Sequence, residues 1–378
     1  MSNDTQATAH EMTVTRNASL RLAMVNGIGP RIFQNLLTSF SSPQAVLEAD
    51  VSQLKCVPGV GARLAKQIAA AREEVDVTGQ LEICEENQID LIVRGEDNYP
   101  AILNEIHDPP NVLFCNGRIQ PQDRLAVAIV GTRHATTYGL KTAANLARGL
   151  SLAGFTIVSG MARGIDAAAH RGALESGGRT IAVLGSGLLN VYPPEHATLS
   201  EEIAKQGAVL SEYLPMQAPR SGAFPQRNRI VSGLSLGVIV VEAAERSGAL
   251  ISARLAGEQG REVFAVPGRI DNRMSKGCHS LIRDGAKLVE SVDDILEELG
   301  PLTSPATTET GQTVHRPSEL SLNEQEKNVL QHIGTEPECI DVVIRASGLP
   351  ASRVLATISV LEIRRIVRRV VGNKVVRA

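Results

Sequence analysis

The sequence predicts an α/β protein in which a doubly wound, mostly parallel sheet is flanked by two small, mainly helical domains. Two observations predict the sheet. From about Leu91 to Gly300, short strand-like runs alternate with helical patterns, and these runs consist almost entirely of Val, Ile, Ala and Leu. Strands of a parallel sheet have this composition because helices cover both of its faces. The 378 residues suffice for such a sheet and two further domains.

Residues 1–18 are predicted to form a disordered tail, because they are polar and lack the apolar core of a signal peptide. No apolar run reaches the roughly 18 residues that a membrane span needs. We therefore expect a cytoplasmic protein without membrane contact. The five cysteines lie far apart and are odd in number, so neither a disulfide framework nor a metal site is predicted.

Residues 19–85 contain two similar phrases, MVNGIGPRIFQNLL and CVPGVGARLAKQIA. In each, Gly-apolar-Gly precedes a helical pattern, which allows a tight turn and leaves backbone N–H groups open at the start of the next helix. The pair resembles a double helix-hairpin-helix unit, which holds nucleic-acid phosphate in many proteins. Gly59 and Gly61 are therefore candidate accessory DNA contacts; the alternative is a purely structural helical hairpin.

Residues 86–300 form the predicted Rossmann-like core. Its six predicted strands are LAVAIVGTR, FTIVSGMA, RTIAVLGSG, GAVLSEY, LGVIVVEAA and EVFAVPG. Ligands of such sheets bind at the carboxyl ends of the strands, where this chain carries small residues, hydroxyls and, after the first strand, Arg133. We expect an anion-binding crevice there. Neither GxGxxG nor GxxxxGK[ST] occurs, so no nicotinamide, flavin or ATP cofactor is expected.

Residues 301–318 are rich in Thr, Ser and Pro and are predicted to be a linker. Residues 319–378 then show three helical patterns and a hairpin around Gly-Asn, which predict a winged helix with PASRVLATISVLEIRR as its recognition helix. Arg364 and Arg365 at the end of this helix are candidate accessory DNA contacts. Docking to another protein is the alternative use of the domain.

No catalytic residue is assigned. Asp166 and His170 stand four apart on one helical face, but an N-cap at Asp166 with a partner for His170 explains them better than catalysis does. Glu212 and Glu242 each close a strand. They could form a carboxylate pair of the glycosidase type, and either could equally hold an arginine in place.

The segment GAFPQRNRIVSGLS, residues 222–235, has no acid in a chain whose formal net charge is −3. Arg227 and Arg229 are two residues apart, so on a helix they point to different sides. We expect one of them to face a ligand and the other to pair with a structural acid. Phe224, expected to be exposed, would be the ring on which a base stacks, which is the pattern of a site for single-stranded nucleic acid.

Several motifs together resemble those of the DprA/Smf family of DNA-processing proteins. They are GTRHATTYG, SGMARGIDAAAHRGAL, TIAVLGSGLLNVYPPEHATL, LSEY, FPQRNRIVSGLS, VVEAAERSGALISARLAGEQGREVFAVPG and KGCHSLIRDGAKLV, and they extend from about Leu91 to Val292. The resemblance implies a non-enzymatic, cytoplasmic homodimer that binds single-stranded DNA. It also implies that the protein protects incoming strands in natural transformation and helps load RecA onto DNA coated by single-strand-binding protein.

The resemblance also implies the DNA-binding residues, which come from the GTR motif, the glycine-rich helix starts and the FPxRNR segment. In this chain they are Gly131, Arg133, Thr137, Gly160, Gly164, Arg220, Phe224, Arg227, Asn228 and Arg229. Two positions depart from the family pattern. Thr137 stands where a serine is common, and some members have a lysine at the place of Ser221, where the nearest charge here is Arg220.

The alternative function is that of the lysine-decarboxylase-like phosphoribohydrolases, which cleave nucleoside monophosphates. Those enzymes resemble this chain in one strand but carry a PGGxGTxxE motif. Here EAAERSGAL stands in its place, with few glycines and without the acid of the helix. We therefore expect a binding protein rather than an enzyme.

Overall fold

A computed structural model of the protein describes residues 2–299, 306–307, 313–314, 322–334, 336–363, 366–370 and 372–377. The chain divides into two compact units, one of residues 1–119 and 183–233 and one of residues 120–182 and 234–378. Of the predicted linker at 301–318, only the two short strands at 306–307 and 313–314 are described; they pair antiparallel with each other. The rest of the linker lies outside the described residues.

The elements follow one another along the chain with these bounds: α1 (Ser2–Met24), α2 (Pro30–Phe40), α3 (Pro43–Glu48), α4 (Val51–Lys55), α5 (Ala62–Glu74), α6 (Thr78–Glu86), β1 (Ile89–Val93), β2 (Val112–Gly117), β3 (Ala126–Val130), α7 (Thr137–Leu152), β4 (Thr156–Ser159), α8 (Ile165–Glu175), β5 (Thr180–Val183), α9 (Ala197–Gln206), β6 (Ala208–Ser211), α10 (Ala223–Gly233), β7 (Gly237–Val240), α11 (Gly248–Glu258), β8 (Glu262–Ala265), α12 (Lys276–Arg283), β9 (Lys287–Leu288), α13 (Val292–Leu299), β10 (Ala306–Thr307), β11 (Thr313–Val314), α14 (Glu324–Gln331), β12 (Glu338–Cys339), α15 (Ile340–Ser347), α16 (Ala351–Ile363), β13 (Val367–Val370) and β14 (Lys374–Arg377).

The N-terminal helices of the first unit form two helical hairpins, α1–α2 and α4–α5, as the repeated phrases predict. The two hairpins pack reciprocally: a side chain at Gly27 would contact Leu64 of the other hairpin, and one at Gly59 would contact Ile32. Each turn lets the second helix start without a side-chain cap, so its first N–H groups stay at the surface. Apolar residues from α1 to α5 form one shared core beneath the turns.

Helix α1 covers residues for which the sequence predicts a disordered tail, so that prediction is wrong for the part of the tail that the structure describes. It rested on polarity, which does not distinguish a disordered segment from a helix end that faces solvent. The second half of α1 buries Ala18, Leu20 and Leu22. Arg16 anchors the helix through a 2.6 Å contact of its Nε with Oε1 of Glu96.

The strands of the first unit are antiparallel. β1 pairs with β2, and β2 pairs with β6. The segment GAVLSEY was predicted as a strand of a parallel sheet; it is strand β6, but its pairing with β2 is antiparallel. The sequence analysis missed β1 and β2. They pair with each other 19–27 residues apart, and β2 pairs with β6 91–97 residues apart, and local composition fixes neither the partner nor the direction of this pairing.

The second unit carries the parallel sheet. Its strand order is β5-β4-β3-β7-β8-β9, and all neighbours are parallel. From β3 the chain runs outwards through β4 and β5, and it later runs the other way through β7, β8 and β9. The direction therefore reverses between β3 and β7, which is the position where doubly wound sheets bind ligands. The edge strand β9, with only two residues, is too short to give a sequence signal.

The C-terminal elements of the second unit form the predicted winged helix. Helices α14, α15 and α16 pack around an apolar core with a three-stranded sheet of order β12-β14-β13. Asn323 caps α14 in a reciprocal arrangement with Glu326, which fixes the start of the domain. Arg364 and Arg365, the candidate DNA contacts of this domain, lie outside the described residues.

Candidate nucleic-acid interface

The ligand position between β3 and β7 is filled by an internal carboxylate. Glu242, which follows β7, is buried and accepts hydrogen bonds from the backbone N (2.9 Å) and the hydroxyl (2.6 Å) of Thr136. A side chain at Gly139 would overlap this carboxylate, and one at Gly131 would overlap Ile165. Glu242 therefore occupies the N-terminus of α7, where an anionic ligand was expected to bind.

A second internal carboxylate holds the loop after β4. Oδ2 of Asp166 accepts from the backbone N of Gly160 at 3.2 Å and of Ala162 at 3.3 Å. Gly164 precedes α8 with φ +76°, and a Cβ there would overlap the carbonyl oxygen of Thr132. The expected N-cap at Asp166 is thus wrong, because the helix begins at Ile165 and the carboxylate serves the loop instead.

His170 lies fully buried in α8. Its Nδ1 is 2.7 Å from the hydroxyl of Thr180 in β5, so the structure supplies this histidine with a structural partner. The interpretation of His170 as a structural residue agrees with this contact, although the partner is a threonine hydroxyl on the neighbouring strand.

The loops after β3 and β4 expose several polar and charged side chains to solvent. Arg133, Thr137 and Arg163 are exposed, and Tyr138 is 55% exposed. The cap of α7 is Thr136, whose hydroxyl accepts from the backbone N of Gly139 at 3.1 Å, so the hydroxyl of Thr137 is not needed for capping. An anion can therefore be bound by charged side chains at this edge, rather than by the backbone N–H groups that the sequence suggested.

The sequence analysis missed Tyr138. It follows Thr137 directly in GTRHATTYG and was read only as part of a motif. Its ring lies on the first turn of α7, and its hydroxyl is 3.4 Å from the carbonyl oxygen of Pro267, which follows β8. Its position in the sequence could have identified it. An aromatic residue in the first turn of a helix, at the ligand-binding edge of the sheet, lies far from the apolar core and is therefore expected to be exposed.

Arg229 is the structural arginine of α10. It is 6% exposed, its Nη2 lies 2.7 and 2.9 Å from the two carboxylate oxygens of Glu212, and its Nε lies 3.0 Å from Oδ2 of Asp108. Burial opposes its charge, but attraction and hydrogen bonds from Glu212 and then Asp108 leave the pKa of Arg229 raised. The expectation that one arginine pairs with an acid is met at this residue.

Arg227 also points into the first unit. It is 5% exposed, donates to the carbonyl oxygen of Val183 at the end of β5, and reaches Oδ1 of Asn228 from Nε at 3.3 Å. The expected ligand-facing arginine is therefore not exposed in this structure. The reason is that a charged guanidinium can be buried when backbone and amide oxygens accept its hydrogen bonds.

Phe224 is half-buried rather than exposed. Its ring centroid lies 5.4 Å from that of Tyr192 at an angle of 47°, and a Cβ on Gly185 would overlap its ring. The missing side chain at Gly185 thus makes room for Phe224. Of the other expected contacts on this segment, Arg220 is exposed and Asn228 is half-buried.

The two strand-closing acids do not have the setting of a catalytic pair. Glu212 is bound by Arg229, and Glu242 is bound by Thr136. Among the described residues, no group of His, Cys, Asp and Glu side chains could hold a metal ion, and no helix is long and apolar enough to span a membrane. Burial raises the pKa of the Cys84 and Cys278 thiols to about 11, so neither is an activated nucleophile.

Comparison with known protein families gives three matches along the chain. Residues 90–300 match the model of "DNA recombination-mediator protein A", residues 19–74 a SAM-like helix-hairpin-helix tandem, and residues 314–373 the DprA winged helix domain. The three matches follow the order of the helical hairpins, the central domain and the C-terminal winged helix.

Curated relatives and solved structures agree with these matches. Protein Smf of Synechocystis is 34% identical over 94% of this chain and 97% of its own, and DNA processing protein DprA of Streptococcus pneumoniae is 48% identical over 54% and 72%. The crystal structure of the S. pneumoniae protein superposes with a TM-score of 0.66 at 37% identity, covering 75% of this chain and 97% of that one.

A second solved structure comes from Helicobacter pylori and is described as showing the single-stranded DNA binding mode of DNA processing protein A. It superposes with a TM-score of 0.52 at 34% identity, covering 57% of this chain and 98% of that one. Taken with the central-domain match over more than half of the sequence and the Synechocystis relative over nearly all of it, this shows that the chain belongs to the DprA/Smf family of DNA-processing proteins.

Proposed function

We propose that the protein binds single-stranded DNA and acts, without catalysis, in DNA uptake and homologous recombination in the cytoplasm. The observation that carries the proposal is the start of α7, where Arg133, Thr137 and Tyr138 are exposed within six residues of the chain. A cation, a hydroxyl and a ring at one edge are what single-strand binding needs: charge follows the backbone and the ring stacks a base. The H. pylori relative supports the choice of ligand.

The internal carboxylates support an extended strand rather than a mononucleotide as the ligand. Glu242 accepts from the backbone N of Thr136, and Asp166 accepts from the backbone N of Gly160 and of Ala162, so these three N–H groups are not available to a mononucleotide phosphate. Phosphates therefore have to be held from outside, by Arg133 and Arg163, which are exposed on neighbouring loops of the same unit. Contacts of this kind suit a flexible polyanion that lies over the edge of the sheet.

In the first unit, the predicted contact residues that are not buried lie in the N-terminal part of α10 and in the loop before it. Arg220 is exposed, and Asn228 and Phe224 are half-buried. These three predicted contact residues can therefore reach a DNA strand. Arg227 and Arg229 act as positioning residues, because their hydrogen bonds fix α10 to Val183, Glu212 and Asp108.

The proposal of single-stranded DNA binding is tested by fluorescence anisotropy on the full chain, with fluorescein-labelled oligothymidine and a duplex of equal length. We expect tighter binding of the single strand than of the duplex. Equal affinity for the two DNA forms would contradict the proposal. The phosphoribohydrolase alternative, which lacks its PGGxGTxxE motif here, is tested by incubation with a panel of nucleoside monophosphates, where release of free base would overturn a non-enzymatic role.

The finer parts of the proposal concern partners. Membership of the family supports a homodimer that protects incoming strands and helps load RecA onto DNA covered by single-strand-binding protein. Light scattering during gel filtration measures the oligomeric state. RecA loading is measured as faster ATP hydrolysis by RecA on DNA covered by single-strand-binding protein. If this chain does not accelerate the hydrolysis, the proposed role in RecA loading is wrong, whereas the proposal of DNA binding is unaffected.

The accessory contacts form a separate proposal. Gly59 and Gly61 shape the second hairpin turn, beside which Arg63 is exposed at the start of α5. Replacing Arg63 with Glu should weaken duplex and single-strand binding equally if this turn holds phosphate. Unchanged affinity for both DNA forms would assign the hairpins a structural role only.

A further inference from the structure

The recognition helix of the winged helix, α16, has apolar residues on two faces, and its own domain covers only one. The inner face buries Val354, Ile358 and Leu361. On the outer side Leu355 is 41%, Val360 38% and Ile363 64% exposed. Apolar residues of a surface helix normally lie on the face turned to the core, so these three exposed apolar residues on the outer side leave that face available to a partner.

The outer residues form one continuous stripe. Ser352, Ala356, Ser359 and Ile363 recur at spacings of four, three and four, which places them in a row along the helix. Leu355 lies on one side of this row and Val360 on the other. Small residues in the centre with larger apolar residues beside them make a shallow groove into which a second helix can pack closely.

The stripe does not suit the reading of DNA bases. Base edges are discriminated best by Arg, Lys, Asn, Gln, Asp or Glu, and the stripe contains none of them; its only hydrogen-bonding side chains are those of Ser352 and Ser359. The hydroxyl of Ser359 is already engaged, since it accepts from Nη2 of Arg369 at 2.9 Å and donates to the carbonyl oxygen of Leu355 at 3.0 Å. An apolar centre depleted of charge is instead the composition of a protein–protein interface core.

The charges around the stripe indicate which protein it fits. Arg369 lies at the stripe, where its Nη2 is 2.9 Å from the hydroxyl of Ser359, and its Nε is 3.5 Å from Oε2 of Glu362, the acid of α16. Arg353 is exposed on the same side of α16 as Val360. A second copy of the domain would bring the same positive charges to the contact, whereas an acidic partner would be attracted.

We propose that the outer face of α16 docks an acidic amphipathic helix of another protein. The apolar residues of that helix would lie over the stripe, and its carboxylates would face the basic residues around it. The proposal does not depend on DNA binding by the central domain.

The test uses the full chain and a fluorescein-labelled peptide of about 18 residues, about five helical turns, with Leu on one face and Glu on the other. We expect the Glu peptide to bind and a peptide with Lys in place of every Glu not to bind. Replacing both Leu355 and Ile363 with Ser should weaken the Glu peptide about tenfold or more. Ile270→Ser, at an 88% exposed isoleucine outside the winged helix, should leave binding unchanged.

Three results would overturn the proposal. The first is that the parent protein binds the Glu peptide and the Lys peptide with equal affinity, or that the Glu peptide binds the parent and the double variant with equal affinity. The second is a drop in molecular mass of the double variant in light scattering, which would assign the face to a second copy. The third is a loss of duplex DNA affinity in the double variant, which would assign it to nucleic acid. The substituted positions are exposed, so thermal melting of the double variant should match that of the parent.

Discussion

Arg133 is the residue on which the proposed single-strand binding should depend most directly. Replacing it with Ala should cost about 1.5–3 kcal/mol of binding free energy, roughly tenfold or more in Kd, because a charge-assisted contact to phosphate is lost. Thermal stability should not change, since the side chain is exposed. Anisotropy titrations with oligothymidine measure the effect. Arg254→Ala, which removes an equally exposed charge from α11, is the control and should bind as the parent does.

Tyr138 is predicted to stack a base. Tyr138→Ala should weaken binding of oligothymidine by about 1–3 kcal/mol, whereas Tyr138→Phe should bind like the parent because the ring face is retained. If the phenylalanine variant loses as much affinity as the alanine variant, the hydroxyl and not the ring contacts the DNA. If both bind normally, Tyr138 lies outside the path of the strand.

Arg229 is predicted to act on stability. Removing its side chain leaves the carboxylates of Glu212 and Asp108 facing each other without their cation. Arg229→Ala should lower the free energy of unfolding by about 2–3 kcal/mol, less than the ~3–5 kcal/mol of a fully buried pair, because Asp108 is partly exposed. Urea unfolding measures the loss. In a Glu212→Ala background the same substitution should cost clearly less; equal costs in the two backgrounds would mean that the ion pair is not the cause.

The loop that leads into α8 depends on one glycine. Gly164→Ala requires a positive φ and places a methyl group against two backbone carbonyl oxygens, those of Thr132 and Arg133, which cannot move independently. We expect a loss of about 1–3 kcal/mol in unfolding free energy together with weaker single-strand binding, because Arg133 shifts with its backbone. Gly257→Ala, at an open helical position in α11, is the matched control and should be neutral or slightly stabilising.

At the level of elements, the sequence predicts what local composition determines. Five strands of the parallel sheet, β3, β4, β5, β7 and β8, are found because burial makes them largely apolar, and the helical hairpins are found because their glycines recur in the same phrase. β1 and β2 were missed, and the antiparallel pairing of β6 could not be read from its own residues. β1 and β2 pair with each other, β2 pairs with β6 91–97 residues further along the chain, and no local pattern records the direction of pairing.

The candidate site shows the same limit more sharply. Helical spacing alone indicates that Arg227 and Arg229 point to different sides. It cannot show that both point inwards, because Asp108, one partner of Arg229, lies 121 residues before it in the chain. The anion seats at the helix starts were inferred from small residues and glycines. That Glu242 and Asp166 occupy them depends on tertiary contacts, and the exposed side chains beside them are therefore the proposed ligand contacts.

For the whole molecule, the formal net charge of −3 means that general attraction to a polyanion is not available, so DNA binding has to come from a few local cations. Each phosphate neutralised on a single strand contributes about 0.7 to the slope of log K against log salt concentration. The parent slope should therefore be shallow, and Arg133→Ala should reduce it by about 0.7, the share of one phosphate contact.

Titrations of oligothymidine across a salt series measure both slopes, with Arg254→Ala expected to keep the slope of the parent. An unchanged slope in Arg133→Ala, with lower affinity, would show that Arg133 contacts a base or sugar instead of a phosphate. An affinity that does not depend on salt in the parent protein would contradict phosphate tracking altogether. In that case stacking on aromatic rings such as Tyr138 would have to provide the binding free energy. Tyr138→Ala should then lose more affinity than Arg133→Ala does.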